Sequence, residues 1–229
     1  MSTEIAFDFD KARFNMIEQQ IRPWQVLDAK LLELLGEVKR EDFVPADYRH
    51  VALADLEVPL GAEPGQCMLP PKVESRTLQD LALQPDETVL EIGTGSGYMA
   101  ALLSRLAARV ISVEIDPALA KQAKANLAAA GIKNVEVITA DATANRYAAC
   151  STGAPYDAIV LSGSVAEVPA ALLDLLKNGG RLFAIVGQDP VMRATLVRRS
   201  GTDGFHTEQP WDICAARLQN FPERSHFKF

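Results

Sequence analysis

Four acidic side chains and one glycine-rich string carry the chemistry this sequence can offer. Residues 91–97 read Glu-Ile-Gly-Thr-Gly-Ser-Gly, with Glu91 two positions before Gly93 and the glycines alternating through Gly95 and Gly97. A residue without Cβ reaches positive φ and lets the backbone come close to a ligand. The string follows a β-type run (Thr88, Val89, Leu90, Ile92) and precedes apolar residues at helical spacing (Met99, Leu102, Leu103, Leu106). Strand, turn and helix make the opening unit of a doubly wound α/β sheet, which binds ligands beyond the carboxyl ends of its strands. The dinucleotide pattern G-x-G-x-x-G would put its last glycine on Tyr98, so the spacing counts against NAD or FAD. Glu114 ends the next strand, about 20 residues past Gly93, where an acid accepts hydrogen bonds from ribose hydroxyls. Asp141 ends a third strand, a place for a ligand-binding acid, an N-cap or an Asx-turn. Asp157 opens a fourth, where a turn or capping acid fits equally well.

Other catalytic sets are missing from the pattern. His50, His206 and His226 are scattered and read as surface or packing residues. Cys67, Cys150 and Cys214 lie far apart and form no C-x-x-C pair, which suggests free thiols in a reducing cytoplasm rather than disulfides or zinc. No basic residue adjoins Cys67 to lower its pKa, so it reads as a pocket-lining residue rather than a nucleophile. No metal is indicated.

The elements that must position these groups follow from periodicity. A helix over 11–22, with Phe14, Ile17 and Ile21 on one stripe, stops at Pro23. A second starts at Asp28 as N-cap and buries Leu31, Leu32, Leu34 and Leu35 before Gly36. An irregular loop over 56–65 leads through an extended segment, 66–71, into a helix over 73–83. After the glycine turn come strand 109–114, a helix capped by Asp116 with Pro117 at its first position, and strand 135–138. A loop-like stretch with one turn of helix precedes buried strand 157–161. Pro169 precedes a short helix closed by Asn178, Gly179 and Gly180, and strand 181–187 follows. Strands over 194–199 and 213–218, around a turn near 201–204, make a terminal hairpin.

The chain has 229 residues, 48% of them hydrophobic, which supplies a core and fits one domain over 1–229. Within it, 1–72 reads as a helical and loop extension and 73–229 as the α/β core. A net charge of −7 disfavours phosphate backbones, so nucleic acid is not an expected partner. No apolar run approaches the roughly 18 residues a membrane span needs, and the acidic stretch 1–10 does not read as a secretory signal.

The E-x-G-x-G-x-G string resembles motif I of the class I S-adenosylmethionine-dependent methyltransferases, and the resemblance narrows along the chain. Segments 16–22 (M-I-E-Q-Q-I-R), 38–45 (V-K-R-E-D-F-V-P), 91–98, 154–157 (A-P-Y-D) and 176–182 (L-K-N-G-G-R-L) are similar, in order, to the protein-L-isoaspartate O-methyltransferase family. The resemblance implies a Rossmann-like sheet, mostly parallel, with an N-terminal helical extension and a C-terminal β-hairpin. It also implies a cytoplasmic O-methyltransferase whose cofactor is S-adenosyl-L-methionine, and whose partner is a protein or peptide carrying isoaspartate. The implied cofactor residues are Glu91, Gly93, Thr94, Gly95, Gly97, Glu114, Ile115, Asp141 and Ala142, with Asp141 near the adenine amino group. No catalytic residue is assigned, because an isoaspartyl carboxylate with a pKa of about 4 is already ionised at pH 7 and needs no general base.

One departure stands out. The family segment Gln-Thr-Ile-Ser-x-Pro keeps Gln66 and Pro71 here but becomes Cys67, Met68 and Leu69 between them. Leu69 takes the place of the acceptor-site serine. Thr-Ala-Ala-Ala-Pro after the fourth strand becomes 162–166, which keeps one hydroxyl at Ser162. A paralogue with a different acceptor, or a cofactor-binding module without turnover, therefore stands beside isoaspartyl methylation.

Overall fold

The computed structural model describes residues 7–61, 63–201 and 204–223. His226 and residues 1–6 lie outside them. The chain begins with α1 (Phe9–Met16), α2 (Ala29–Glu37), a small ribbon of β1 (Val58–Pro59) and β2 (Cys67–Met68), and α3 (Pro71–Leu81). The alternating part follows: β3 (Thr88–Ile92), α4 (Tyr98–Leu106), β4 (Arg109–Glu114), α5 (Pro117–Ala129) and β5 (Val135–Thr139). Next come α6 (Ala144–Tyr147), β6 (Tyr156–Val165), α7 (Ala170–Leu173), β7 (Leu176–Gln188), β8 (Val191–Ser200) and β9 (Gly204–Asp212).

The sheet runs β5-β4-β3-β6-β7-β8-β9. Strands β3 to β7 pair in parallel, and β8 and β9 return antiparallel. Strand order reverses between β3 and β6, the switch point where doubly wound sheets open a crevice. Glu91 lies opposite Ser112 of β4 on one side and Val160 of β6 on the other.

Side chains alternate across each strand. Val89, Val110, Val137, Ala158 and Phe183 face a cluster built with α1 to α5, whereas Leu90, Ile111, Ile159 and Leu182 face one built with Tyr147, Cys150, Leu172 and Phe221. Burial on both faces explains why these strands are apolar throughout rather than alternating in polarity.

Two arginines from the motif segments hold this frame together. Arg40, fully buried, donates to the Ala52 carbonyl at 2.9 Å and the Leu69 carbonyl at 2.5 Å, and pairs with Glu74 of α3. Arg181 donates to the carbonyls of Leu81 and Ala82, at 2.7 and 3.1 Å, and pairs with Glu87. It thereby satisfies orphan carbonyls at the end of α3. Among the described residues no helix is long and apolar enough to cross a membrane.

Several expectations are corrected. The helix read over 11–22 becomes α1, a π-helical turn over Ile17–Ile21 and a 3-10 turn over Arg22–Trp24. Within α1 the buried face carries Arg13 and Met16, so Phe14 lies outward at 64% exposure, while Ile21 is buried at the end of the π-helical turn. The α2 helix runs through Gly36 to Glu37, and α3 starts at Pro71, because Pro70 and Pro71 suit a helix entry. Asn178, Gly179 and Gly180 belong to β7 rather than to a helix end. Among the described residues the last strand is β9, ending at Asp212; 213–218 is not a hairpin strand but turns back over the sheet.

Candidate active site

At the carboxyl end of β3 the chain turns through Gly93, Gly95 and Gly97 at φ +94°, +53° and +85°. L side chains rarely adopt such angles. A Cβ on Gly97 would meet Ala123 and Leu127 at 3.3 Å, so the glycine also lets α4 start directly against α5. Gly93 and Gly95 line a cleft together with Glu114, Ile115 and Ala142. Gln66, Cys67 and Ser162 form another wall, and Arg217, Leu218, Gln219 and Phe221 a third. Five of the nine residues expected at the cofactor thus meet at one cleft. Glu91, Thr94, Gly97 and Asp141 stand behind or beside it.

Glu91 is fully buried beneath the turn, where its carboxyl accepts from Ser112 Oγ at 2.6 Å and Ser162 Oγ at 2.9 Å. Ser112 Oγ also meets Thr94 Oγ1 at 2.5 Å. This chain of side chains ties β3, β4 and β6 together under the glycines. Burial pushes the Glu91 carboxyl up to about 8, the two serine hydroxyls pull it back, and Glu114 and Glu74 add repulsion. Its carboxyl therefore keeps its proton to a higher pH than an ordinary glutamate's, which favours the neutral form below the cleft.

Glu114, 5% exposed, ends β4 as expected. Its Oε2 accepts from the Gly95 backbone N–H at 2.7 Å and its Oε1 from that of Asp116 at 3.0 Å. Each carboxylate oxygen has a second lone pair. The side chain is therefore held rigidly at the cleft edge with acceptor capacity left for a diol.

Asp141 does two things at once. Its Oδ1 accepts from the backbone and hydroxyl of Thr143, both at 2.8 Å, which is an Asx-turn. Its Oδ2 accepts from Asn220 Nδ2 at 2.7 Å. Burial alone would raise this carboxyl, but these donors hold it below the usual carboxylate range. Asp157 lies at the opposite end of the sheet, accepting from Thr88 N–H at 2.8 Å and Lys177 Nζ at 2.7 Å. It is a capping acid and takes no part in the cleft.

The substituted segment divides in two. Gln66 and Cys67 reach the cleft, with Gln66 Nε2 donating to Asp116 Oδ2 at 2.8 Å. Burial, with help from Glu57, pushes the Cys67 thiol up to about 12, so it is no thiolate and no nucleophile. Leu69 instead packs in the core, 8% exposed, under the Arg40 contact to its carbonyl. His50 and His206 are exposed and absent from the cleft lining.

Residues 217–221 are the part of the site that sequence reasoning missed. They carry no periodicity and no catalytic residue type, and the reading of 213–218 as a hairpin strand hid the first two of them. Only the return of the chain over β6 brings them to the cleft, through Leu218 N–H to the Ser164 carbonyl at 2.9 Å.

A parallel sheet with an acid-glycine turn after its first core strand and an acid ending the next defines a Rossmann-like methyltransferase fold. The profile of the protein-L-isoaspartate(D-aspartate) O-methyltransferase family matches residues 11–214. A protein-L-isoaspartate O-methyltransferase of Methanoculleus marisnigri is 41% identical over 195 residues, covering 83% of this chain and 84% of that protein. One from Methylorubrum populi is 40% identical over 200 residues, covering 86% and 90%. The chain belongs to this family of S-adenosylmethionine-dependent methyltransferases. A Plasmodium falciparum structure described as a protein-L-isoaspartate O-methyltransferase, in complex with S-adenosyl-L-homocysteine, superposes with a TM-score of 0.75. It is 18% identical and covers 93% of this chain and 99% of its own, which bears on the fold alone.

Proposed function

We propose that the cleft beyond β3 and β4 is where this protein methylates isoaspartyl carboxylates of damaged proteins, using S-adenosyl-L-methionine. The observation that carries the reading is Glu114, fixed at the cleft edge by the glycine turn itself. Its carboxylate receives the ribose hydroxyls, Ile115 and Ala142 flank the adenine, and Asp141 takes the adenine amino group. Gly93, Thr94, Gly95 and Gly97 shape the turn that passes the methionine portion, and Glu91 braces it from below. This acceptor set suits a group bearing a diol, an exocyclic amine and a sulfonium.

When bound, the cofactor supplies an electrophilic methyl group on a good leaving group. The protein's part is to orient and exclude water. An isoaspartyl carboxylate, with a pKa of about 4, arrives ionised and needs no base. Rate enhancement then rests on holding carboxylate and methyl in line. A neutral Glu91 suits this, since a buried anion below the cleft would repel the incoming carboxylate.

The chain reads as one domain over 1–229, because one core cluster runs from Met16 to Ala215. Free thiols at Cys67, Cys150 and Cys214 suit the cytoplasm. The deciding experiment offers labelled S-adenosylmethionine with an isoaspartyl peptide and its aspartyl twin. Labelling of the isoaspartyl peptide alone is expected. Cofactor binding with transfer to neither peptide would move the assignment to a different acceptor.

A further inference from the structure

The stretch after β9 lies across the site. Ser164 N–H donates to the Ala216 carbonyl at 2.8 Å, Leu218 N–H to the Ser164 carbonyl at 2.9 Å, and Ser164 Oγ to the Ala215 carbonyl at 2.8 Å. Leu218 comes within 3.0 Å of where a Cβ on Gly93 would stand. Phe221, 6% exposed, sits on Tyr147 with ring centroids 6.1 Å apart. Between them Asn220, at φ +63°, aims its amide at Asp141 Oδ2.

The cleft left inside this strap has a volume of about 90 Å³. Ligand pockets usually measure about 300–1,000 Å³. A nucleoside with an amino-acid tail therefore needs part of the strap to leave. The chemistry shows which part. Asn220 Nδ2 is an exocyclic amide nitrogen donating to a carboxylate oxygen, the same kind of bond an adenine amino group would make there. Phe221, an aromatic ring beside it, belongs to the same apolar cluster as Ile92, Val113 and Ala142.

We propose that Asn220 sets cofactor affinity by competing for Asp141, so that the strap over 213–221 is a resident mimic of the adenine end and must be displaced on binding. The inference rests on the cofactor reading of this cleft. The fold supplies both requirements of such a competitor. The strap is anchored at its start by pairing with Ser164, which keeps its local concentration high. Its tip is held by the Phe221 ring on Tyr147 and by one exposed amide–carboxylate bond, and that bond is readily exchanged.

The test is calorimetric titration of S-adenosylhomocysteine into the intact protein and into Asn220→Ala, Asn220→Asp and Glu114→Ala, with hydrogen exchange followed over 213–221. Asn220→Ala should bind about fivefold more tightly, the worth of one such hydrogen bond lost from the closed form. Asn220→Asp, which sets a carboxylate against Asp141, should bind at least as tightly as Asn220→Ala. Exchange at the Phe221 amide, at the tip, should quicken in the complex, while the Leu218 amide in the Ser164 anchor stays protected. Weaker binding by both Asn220 variants, or slower exchange in the complex, would make the strap a wall or a closing lid and overturn the proposal. If Glu114→Ala weakens binding while the Asn220 variants bind as the parent does, the competitor fails and the cofactor reading stands. If no form binds, both fail together.

Discussion

Replacing Glu91 by glutamine should remove a pH dependence from folding. The side chain is fully buried between Ser112 and Ser162, and glutamine keeps its shape and its capacity to bond both hydroxyls. A glutamate in an unfolded chain titrates at 4.5, and Glu91 in the folded protein at about 8. The folded state therefore binds this proton more tightly than the unfolded state does. Its contribution to stability is complete below pH 4.5, shrinks as the pH rises from there to about 8, and is lost above. At ~1.36 kcal/mol per pH unit, that window spans about 4–5 kcal/mol. The glutamine variant has no such slope. Glu74, which burial raises and Arg40 pulls back to about 7, is common to both proteins and drops from the comparison. Urea unfolding between pH 4.5 and 9 measures the difference. With a urea slope of about 2 kcal/mol/M, the parent midpoint should fall by roughly 2 M relative to the variant's across the range. Midpoints that run parallel with pH would show that Glu91 is ionised in the folded protein, and the argument for a neutral floor beneath the cleft would collapse.

Two further outcomes are expected. Glu114→Ala should weaken S-adenosylhomocysteine binding by about 2–3 kcal/mol, through lost bonds to a charged acceptor, and an unchanged calorimetric affinity would remove Glu114 from the site. Tyr98→Phe should stabilise the protein by about 1 kcal/mol, since Tyr98 Oη is buried without a hydrogen-bond partner while its ring packs under Arg40 at 5.0 Å. A lower thermal midpoint for that variant would mean the hydroxyl has a partner after all.

Local chemistry made much of this protein legible in its sequence. The strand-turn-helix around Glu91 to Tyr98, the Asp116 cap and the acid ending β4 are set within a few residues of chain by glycine φ, side-chain capping and strand periodicity. The structure puts each where those rules place it. The Asn-Gly-Gly of 178–180 misled, because it makes an irregularity inside β7, where the register against β6 jumps from Leu176 to Arg181 with Gly179 at φ +82°, and ends no helix. Phe14 misled because α1 turns Arg13 and Met16 inward, and Arg13 is buried by its pairing with Glu41 in a distant segment. The motif arginines Arg40 and Arg181 gave no hint in sequence of what they bind, since their partners lie in distant segments. Leu69 could be seen as a substitution, but that it faces the core while Cys67 faces the cleft depends on β2 pairing with β1. Sequence alone determined the fold class and pointed to the glycine turn and the acid Glu114 that meet at one cleft, since both arise from short-range rules repeated along the chain. Only the tertiary structure decided that Arg217, Leu218, Gln219 and Phe221 line that cleft, because a segment without periodicity is positioned by what it packs against.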